Sequence, residues 1–238
     1  MVVFITGPAG SGKTAKMFNR IKELSSDPDS ICIIVPEQFS QDFDKKLYYY
    51  LGAGRFNDLL SFSFTGLSRH LFQIYGDPSR KGEYADEMAK MILVYKAIEA
   101  VESSPESFLY FKRQCKQNGF VEEIIKLIRD LKRSGTHPSE ILDKTRFGDK
   151  RLADKAADTA HIYAEYQKLM QEYNFKDELD NIREAAKIAN LNGYFKNKNI
   201  FIDEFESFTA DQYEMLKIMI SSAQNVYITL RTDDVNAG

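Results

Sequence analysis

Eight residues near the start of the chain, Gly7-Pro8-Ala9-Gly10-Ser11-Gly12-Lys13-Thr14, restrict its fold more than any other stretch. They match GxxxxGK[ST] at every fixed position. They also follow the apolar run Val2-Val3-Phe4-Ile5-Thr6 and precede a helical pattern with Met17 and Ile21 on one face, which is the strand–loop–helix context this motif requires. Glycines let the backbone curl so that its N–H groups point at phosphate oxygens, and the helix N-terminus adds its positive dipole end. The expected ligand is ATP with Mg²⁺. Gly7 to Thr14 would cradle the phosphates, Lys13 would reach the β- and γ-phosphates, and the Thr14 hydroxyl would bind the metal.

The remaining pattern says how that loop is mounted. Val2 to Thr6 reads as a strand of a parallel sheet covered on both faces. Residues 31–35 read as a second buried strand ended by Pro36, 40–51 as a helix, 59–63 as a third strand, and a helix from Thr65 carries Leu67, Leu71 and Phe72. From Glu83 to about Asn192 no strand pattern is found. Met88, Met91, Ile92, Tyr95 and Ile98 follow helical spacing, as do Val121, Ile124, Ile125, Ile128 and Leu131; further helices are expected over 153–173 and 177–189. Strands return at 199–203 and 226–231, with a helix over 208–219 between them. The expectation is an α/β fold with a parallel sheet, built from residues 1–76 and 192–238, with an all-helical subdomain of residues 77–191 inserted in it.

The strand Asn199-Ile200-Phe201-Ile202-Asp203 ends in acid, with Glu204 next. A P-loop needs a second acid for Mg²⁺ at the end of a neighbouring buried strand. Asp203 is the candidate for the metal and Glu204 for the general base that polarises the attacking water. The alternative is an ordinary acidic pair ahead of a helix. Net charge is −3, so no global positive field draws the chain onto nucleic acid, and any DNA contact must be local. Lys112, Arg113, Lys116, Lys126, Arg129, Lys132 and Arg133 read as a solvated helix face, with phosphate contacts as the alternative. Tyr48-Tyr49-Tyr50 reads as core packing or interface before base stacking. Cys32 reads as a buried strand residue, Cys32 and Cys115 show no zinc spacing, and His70, His137 and His161 have no ligand-spaced partners. No apolar run approaches the roughly 20 residues needed to span a bilayer, and no signal peptide is recognisable, so a cytoplasmic protein without membrane contact is expected. Only a few residues follow the strand at 226–231, which suggests a piece of a longer protein.

Several segments resemble superfamily 1 DNA helicases, whose first RecA-like domain carries an inserted 1B subdomain at the corresponding place. Ile200 to Phe205 is similar to their motif II, and Leu60-Ser61-Phe62-Ser63-Phe64 occupies the place of the segment that lies along single-stranded DNA. A narrower resemblance is to AddB, one of the two chains of bacterial AddAB helicase–nucleases. It rests on Val35-Pro36-Glu37-Gln38-Phe39-Ser40, on Gly119-Phe120-Val121-Glu122-Glu123 running on to Leu131-Lys132-Arg133-Ser134-Gly135, and on Phe205-Glu206-Ser207-Phe208-Thr209-Ala210-Asp211-Gln212. It extends from Met1 to about Arg231.

The resemblance implies a RecA-like P-loop NTPase domain in the N-terminal region of a helicase-like subunit. That subunit would bind ATP–Mg²⁺ and guide DNA, single strands and duplex ends, in double-strand break repair and recombination. Its partner would be an AddA-type helicase–nuclease subunit in a heterodimer. The family's nuclease domain and iron–sulfur cluster lie further along the full subunit, and neither cysteine here matches the cluster's spacing. Active helicases also carry an adenine-reading glutamine upstream of the P-loop and a Gly-Asp-x-x-Gln motif after the next strand. This chain begins too close to the loop for the first. In place of the second it reads Thr229-Leu230-Arg231-Thr232-Asp233-Asp234. A subunit that is not the motor is therefore expected, with little activity in this stretch alone. Family members often have glycine after the strand aspartate, so Glu204 keeps an active superfamily 1 helicase open as the alternative. A small phosphotransferase with a helical lid, clamping phosphate through Arg129, Arg133 and Arg151, and a scaffold whose P-loop binds nothing are the other readings.

Overall fold

The computed structural model describes residues 1–76, 82–105, 107–144 and 149–232. Its contacts divide the chain into two units, Met1–Gly76 with Asn181–Gly238, and Asp77–Asp180. The chain enters the first unit through β1 (Val2–Gly7), α1 (Lys13–Leu24), β2 (Ile31–Ile34), α2 (Ser40–Leu51), α3 (Ala53–Phe56), β3 (Ser61–Phe62) and α4 (Phe64–Tyr75). The second unit holds β4 (Glu83–Tyr84), α5 (Glu87–Glu102), α6 (Phe120–Arg133), α7 (Pro138–Lys144), α8 (Lys150–Glu172) and β5 (Phe175–Lys176). The chain then returns to the first unit through α9 (Asn181–Leu191), β6 (Asn199–Ile202), α10 (Ala210–Ser222) and β7 (Asn225–Arg231). The expected start of the insertion at Asp77, and Asp233 and Asp234, lie outside the described residues.

The first unit is an α/β structure around a five-stranded, all-parallel sheet in the order β1-β7-β6-β2-β3. Its strands read as unbroken apolar runs because both faces of the inner strands are covered. Ile31 and Ile33 of β2 pack with Met17 and Ile21 of α1 and with Phe43 and Leu47 of α2. Cys32 and Ile34 point the other way, into a core with Leu67 and Leu71 of α4, Ala185 of α9 and Met215 of α10. Cys32 is 1% exposed, as expected of a strand cysteine, and burial pushes its thiol up to about 12.

Two sequence expectations change here. β1 is not covered on both faces: among the described residues it is one of the two edge strands, and Phe4 is 57% exposed. And α9, which the periodicity placed with the helical insertion, belongs to the first unit. Its small residues Ala185, Ala186 and Ala189 let it approach α4 and α10 closely enough to share their core.

Among the described residues the regular structure of the second unit is helical except for a short parallel pairing, Glu83 with Phe175 and Tyr84 with Lys176. The sequence offered no strand there, because two residues are too few to show a period. Leu93 and Val94 of α5, Ile124 and Ile128 of α6, and Tyr163 and Tyr166 of α8 form the core. α5 turns a different face inward from the one its spacing suggested. Leu93, Val94, Ala97, Ile98 and Val101 are buried, while Met88, Ile92 and Tyr95 are exposed.

Lys132 also departs from the expected solvated face. It is buried, with Nζ 2.7 Å from Asp177 and 3.0 Å from Asp180. Burial alone would raise the Asp177 pKa, but the Lys132 ammonium outweighs it and holds the carboxyl below its usual range. Arg129 with Glu87 and Lys116 with Glu102 are exposed pairs that contribute little.

Asp158, 1% exposed on α8, ties the segment after α5 to the helices. Its carboxylate accepts the N–H groups of Leu109 at 3.0 Å, Tyr110 at 2.7 Å and Phe111 at 2.8 Å. Asp158→Asn keeps the shape, removes the charge and turns an N–H₂ toward backbone donors. It is expected to destabilise the protein by about 2 kcal/mol, read as a lowered denaturant midpoint with unchanged slope. An unchanged midpoint would mean that water takes over those donors.

Candidate functional site

The loop Gly7 to Thr14 is shaped by its glycines. Gly12, the residue before α1, has φ 84°, in the left-handed region that side chains resist. A Cβ on Gly7 would lie 2.5 Å from Ser11 Oγ, so any side chain there would have to displace Ser11. α1 has no side-chain cap and no acidic residue in its first turn. The first N–H groups of a helix have no partner within it, so this end presents donors and positive dipole to whatever lies before it. Lys13 folds back, its Nζ donating to Gly7 O at 2.9 Å and Pro8 O at 2.8 Å.

A cleft of about 420 Å³ opens over this loop, lined by residues Ala9 to Thr14 and, from other strands, by Asp203, Glu204, Thr229 and Arg231. The sequence placed Asp203 on a strand next to the loop. β6 does lie in the same sheet, but β7 runs between it and β1. Asp203 is 2% exposed. Its N–H donates to Ile34 O, and its Oδ1 accepts the Thr229 hydroxyl and the Glu204 N–H. Its Oδ2 is buried and has no hydrogen-bond partner. A buried carboxylate oxygen without a donor is costly, and a divalent cation with its bound water is the chemistry that relieves it. The pair Thr14 and Asp203, hard oxygen donors on one cleft, fits Mg²⁺.

Glu204 is exposed at φ 63° and lines the same cleft. A left-handed residue other than glycine is strained by roughly 1–2 kcal/mol. Glu204→Gly is therefore expected to stabilise the protein by about 1 kcal/mol, a rise of about 3 °C in the thermal midpoint. A lowered midpoint would show that the Glu204 side chain makes compensating contacts.

Thr229, Arg231 and Phe39 were not singled out as cleft residues from sequence. Thr229 and Arg231 are two apart at the C-terminal end of β7, so the strand alternation that puts both on one face was readable once the strand was recognised.

A second cleft of about 400 Å³ adjoins the first, sharing Phe39, Glu204, Phe205 and Glu206 with it. Pro36 to Phe39 after β2, Ser63 to Thr65 at the start of α4, and Glu204 to Ser207 with Gln212 form its walls. Phe205 stacks on Phe208 at 5.0 Å and meets Phe64 edge-on at 5.5 Å. Gln212 and Thr209 form a capping box, which starts α10 and gives the Phe-Thr-x-x-Gln spacing a structural reason. Among the described residues the charged groups on this cleft are Glu37, Glu204 and Glu206, with no lysine or arginine.

The other candidates are not gathered here. The His70 ring packs on Phe62 at 4.8 Å, and burial followed by the Lys198 charge lowers its pKa. Tyr48, Tyr49 and Tyr50 are all exposed on α2. The residues present do not fit an iron–sulfur cluster. Cys32 and Cys115 fall in different units, and no group of three or more His, Cys, Asp or Glu that could hold a metal ion exists among the described residues. Also among the described residues, no helix is long and apolar enough to cross a membrane.

Residues 4–238 match the family model described as ADDB, N-terminal. The chain is similar to a protein of Clostridium botulinum (strain Loch Maree / Type A3) named as the B subunit of an ATP-dependent helicase/deoxyribonuclease, at 30% identity over 99% of this chain and 20% of that protein. Proteins of the same name from Clostridium tetani and Clostridioides difficile are 30% and 28% identical over 99% and 98% of this chain, and again over 20% of theirs. The chain thus spans about one-fifth of the length of these relatives.

Proposed function

The chain belongs to the ADDB N-terminal family, and from that premise we propose that it is the helicase-like, ATP–Mg²⁺-binding region of the AddB chain of a heterodimeric ATP-dependent helicase/exonuclease. It is read as a RecA-like P-loop domain with a 1B-like helical insertion, in a cytoplasmic enzyme that processes DNA ends during double-strand break repair and recombination beside an AddA-type partner.

The observation that carries the nucleotide reading is the unpartnered, buried Oδ2 of Asp203 on the same cleft as the phosphate loop. In this reading the donors at the start of α1 and the residues Gly7 to Thr14 hold the phosphates. Lys13 leaves its two carbonyls for the β- and γ-phosphates, and Thr14 and Asp203 hold the metal. Mg²⁺, when bound, neutralises charge on the phosphate oxygens. Thr229 keeps Asp203 oriented through its hydroxyl. Glu204, strained and exposed on the cleft, is the candidate to accept a proton from water.

The second cleft supports guidance of a DNA strand through its bases. Aromatic rings and amide side chains are groups that meet bases, and among the described residues no cationic group is present there to hold phosphate. A role other than the motor fits the end of β7, where the Gly-Asp-x-x-Gln place of active helicases is occupied by Thr229-Leu230-Arg231-Thr232. Titrating labelled ATP with and without Mg²⁺ tests the reading. Micromolar, Mg²⁺-dependent binding is expected, and absence of binding in the complete heterodimer would reduce the P-loop to a relic.

A further inference from the structure

We propose that the groove between α5 and the start of α6 seats an amphipathic helix with basic flanks, supplied by the part of this protein beyond the residues described. α5 carries apolar side chains on both its inner and its outer face, between its charged residues. One face fills the core of the second unit, yet Met88, Ile92 and Tyr95 on the opposite side remain 64%, 50% and 54% exposed. These side chains, spaced at 88, 92 and 95 with Met91 between, form one wall of an open groove of about 610 Å³. The turn at Cys115 to Gly119 and Val121 of α6 form the other. Methionines are adaptable contact groups, and a contiguous apolar patch of this kind marks an interaction surface. Apolar anchors at i, i+3 or i+4, and i+7 are what such a groove accepts.

The rim selects the occupant. Its charged groups are Glu99, Glu102, Glu122 and Lys116, and the lysine is already paired with Glu102 at 3.2 Å. An acidic rim repels nucleic acid phosphates. It also repels a second copy of itself, which would bring the same glutamates face to face. A segment with lysine or arginine beside its apolar face is complementary. Four-fifths of the length of the relatives lies outside the stretch matched here, and a segment tethered in the same chain binds at high effective concentration.

The experiment uses the full-length protein. Ile92→Cys is compared with Leu191→Cys, an 83% exposed position, by thiol alkylation followed peptide by peptide. The cysteine at 92 is expected to react at least tenfold more slowly than that at 191. Reversing the rim with Glu99→Lys and Glu122→Lys is expected to restore fast reaction. A photo-crosslinking residue at Tyr95 is expected to capture a basic peptide from beyond residue 238 of the same chain. Equal rates at 92 and 191, protection indifferent to the rim charges, or crosslinks only to a second copy or to another protein would overturn the proposal.

Discussion

Phosphate release by the 238-residue chain alone, at saturating ATP–Mg²⁺, is expected to stay far below 1 s⁻¹, the low end of common enzyme turnover, with or without single-stranded DNA. The cleft over Gly7 to Thr14 is lined by that loop, by Phe39 and by residues at the C-terminal ends of β6 and β7. In related P-loop enzymes an arginine that reaches the transferring phosphoryl group is worth about 10³–10⁵ in rate. Arg231 is the one arginine among the residues lining this cleft. It sits at the end of β7, beside Asp203's partner Thr229. Arg231→Ala, measured alongside, shows whether that side chain already fills the role; little change is expected. Turnover of about 1 s⁻¹ or more that disappears in Glu204→Gln would mean that the cleft is complete as it stands and that the non-motor reading is wrong.

Lys13→Ala is expected to weaken ATP–Mg²⁺ binding about 100-fold, equivalent to roughly 2.7 kcal/mol. The ammonium is the one full positive charge of the phosphate loop, and charge-assisted hydrogen bonds to phosphate are among the strongest available. Its bonds to Gly7 and Pro8 add a further consequence. Without them the loop loses two of its own contacts, so part of the loss falls on the shape of the empty loop. Lys13→Arg separates the two effects: it keeps the charge but not the compact geometry. Equal affinity for wild type and Lys13→Ala, by calorimetry or fluorescence titration, would remove the nucleotide reading.

Much of this arrangement was legible because apolar runs and the glycine pattern report backbone geometry directly. The inner strands β2, β6 and β7 are visible as buried runs, and α1 and α2 begin and end where periodicity and turn residues put them. Allegiance was not legible. The α9 pattern announces a helix, but nothing in it says which core its alanines fill. α5 shows a similar limit: with apolar residues on both its inner and its outer face, the spacing of Met88, Ile92 and Tyr95 looks as much like a core stripe as that of Leu93, Val94, Ala97 and Val101. That Lys13 and Asp203 would line one cleft was readable from chemistry and position. The support of Asp203 by Thr229 depends on β7 lying between β1 and β6, a matter of strand order that no local pattern carries. The strain at Glu204 was equally hidden, since glutamate gives no sign of a left-handed backbone.

The position of β1 at the rim of the sheet has a consequence for how the protein is made. Among the described residues its only partner strand is β7, with Val2 opposite Val226. The strand that carries the phosphate loop must therefore wait for about 220 further residues to leave the ribosome, roughly 10–45 s at ordinary synthesis rates. In that interval the helices of the second unit, whose contacts span shorter stretches of chain, can already have formed. β1, made before the whole second unit, is then locked in place after it, and its pairing with β7 is complete only when the nascent chain has passed Arg231.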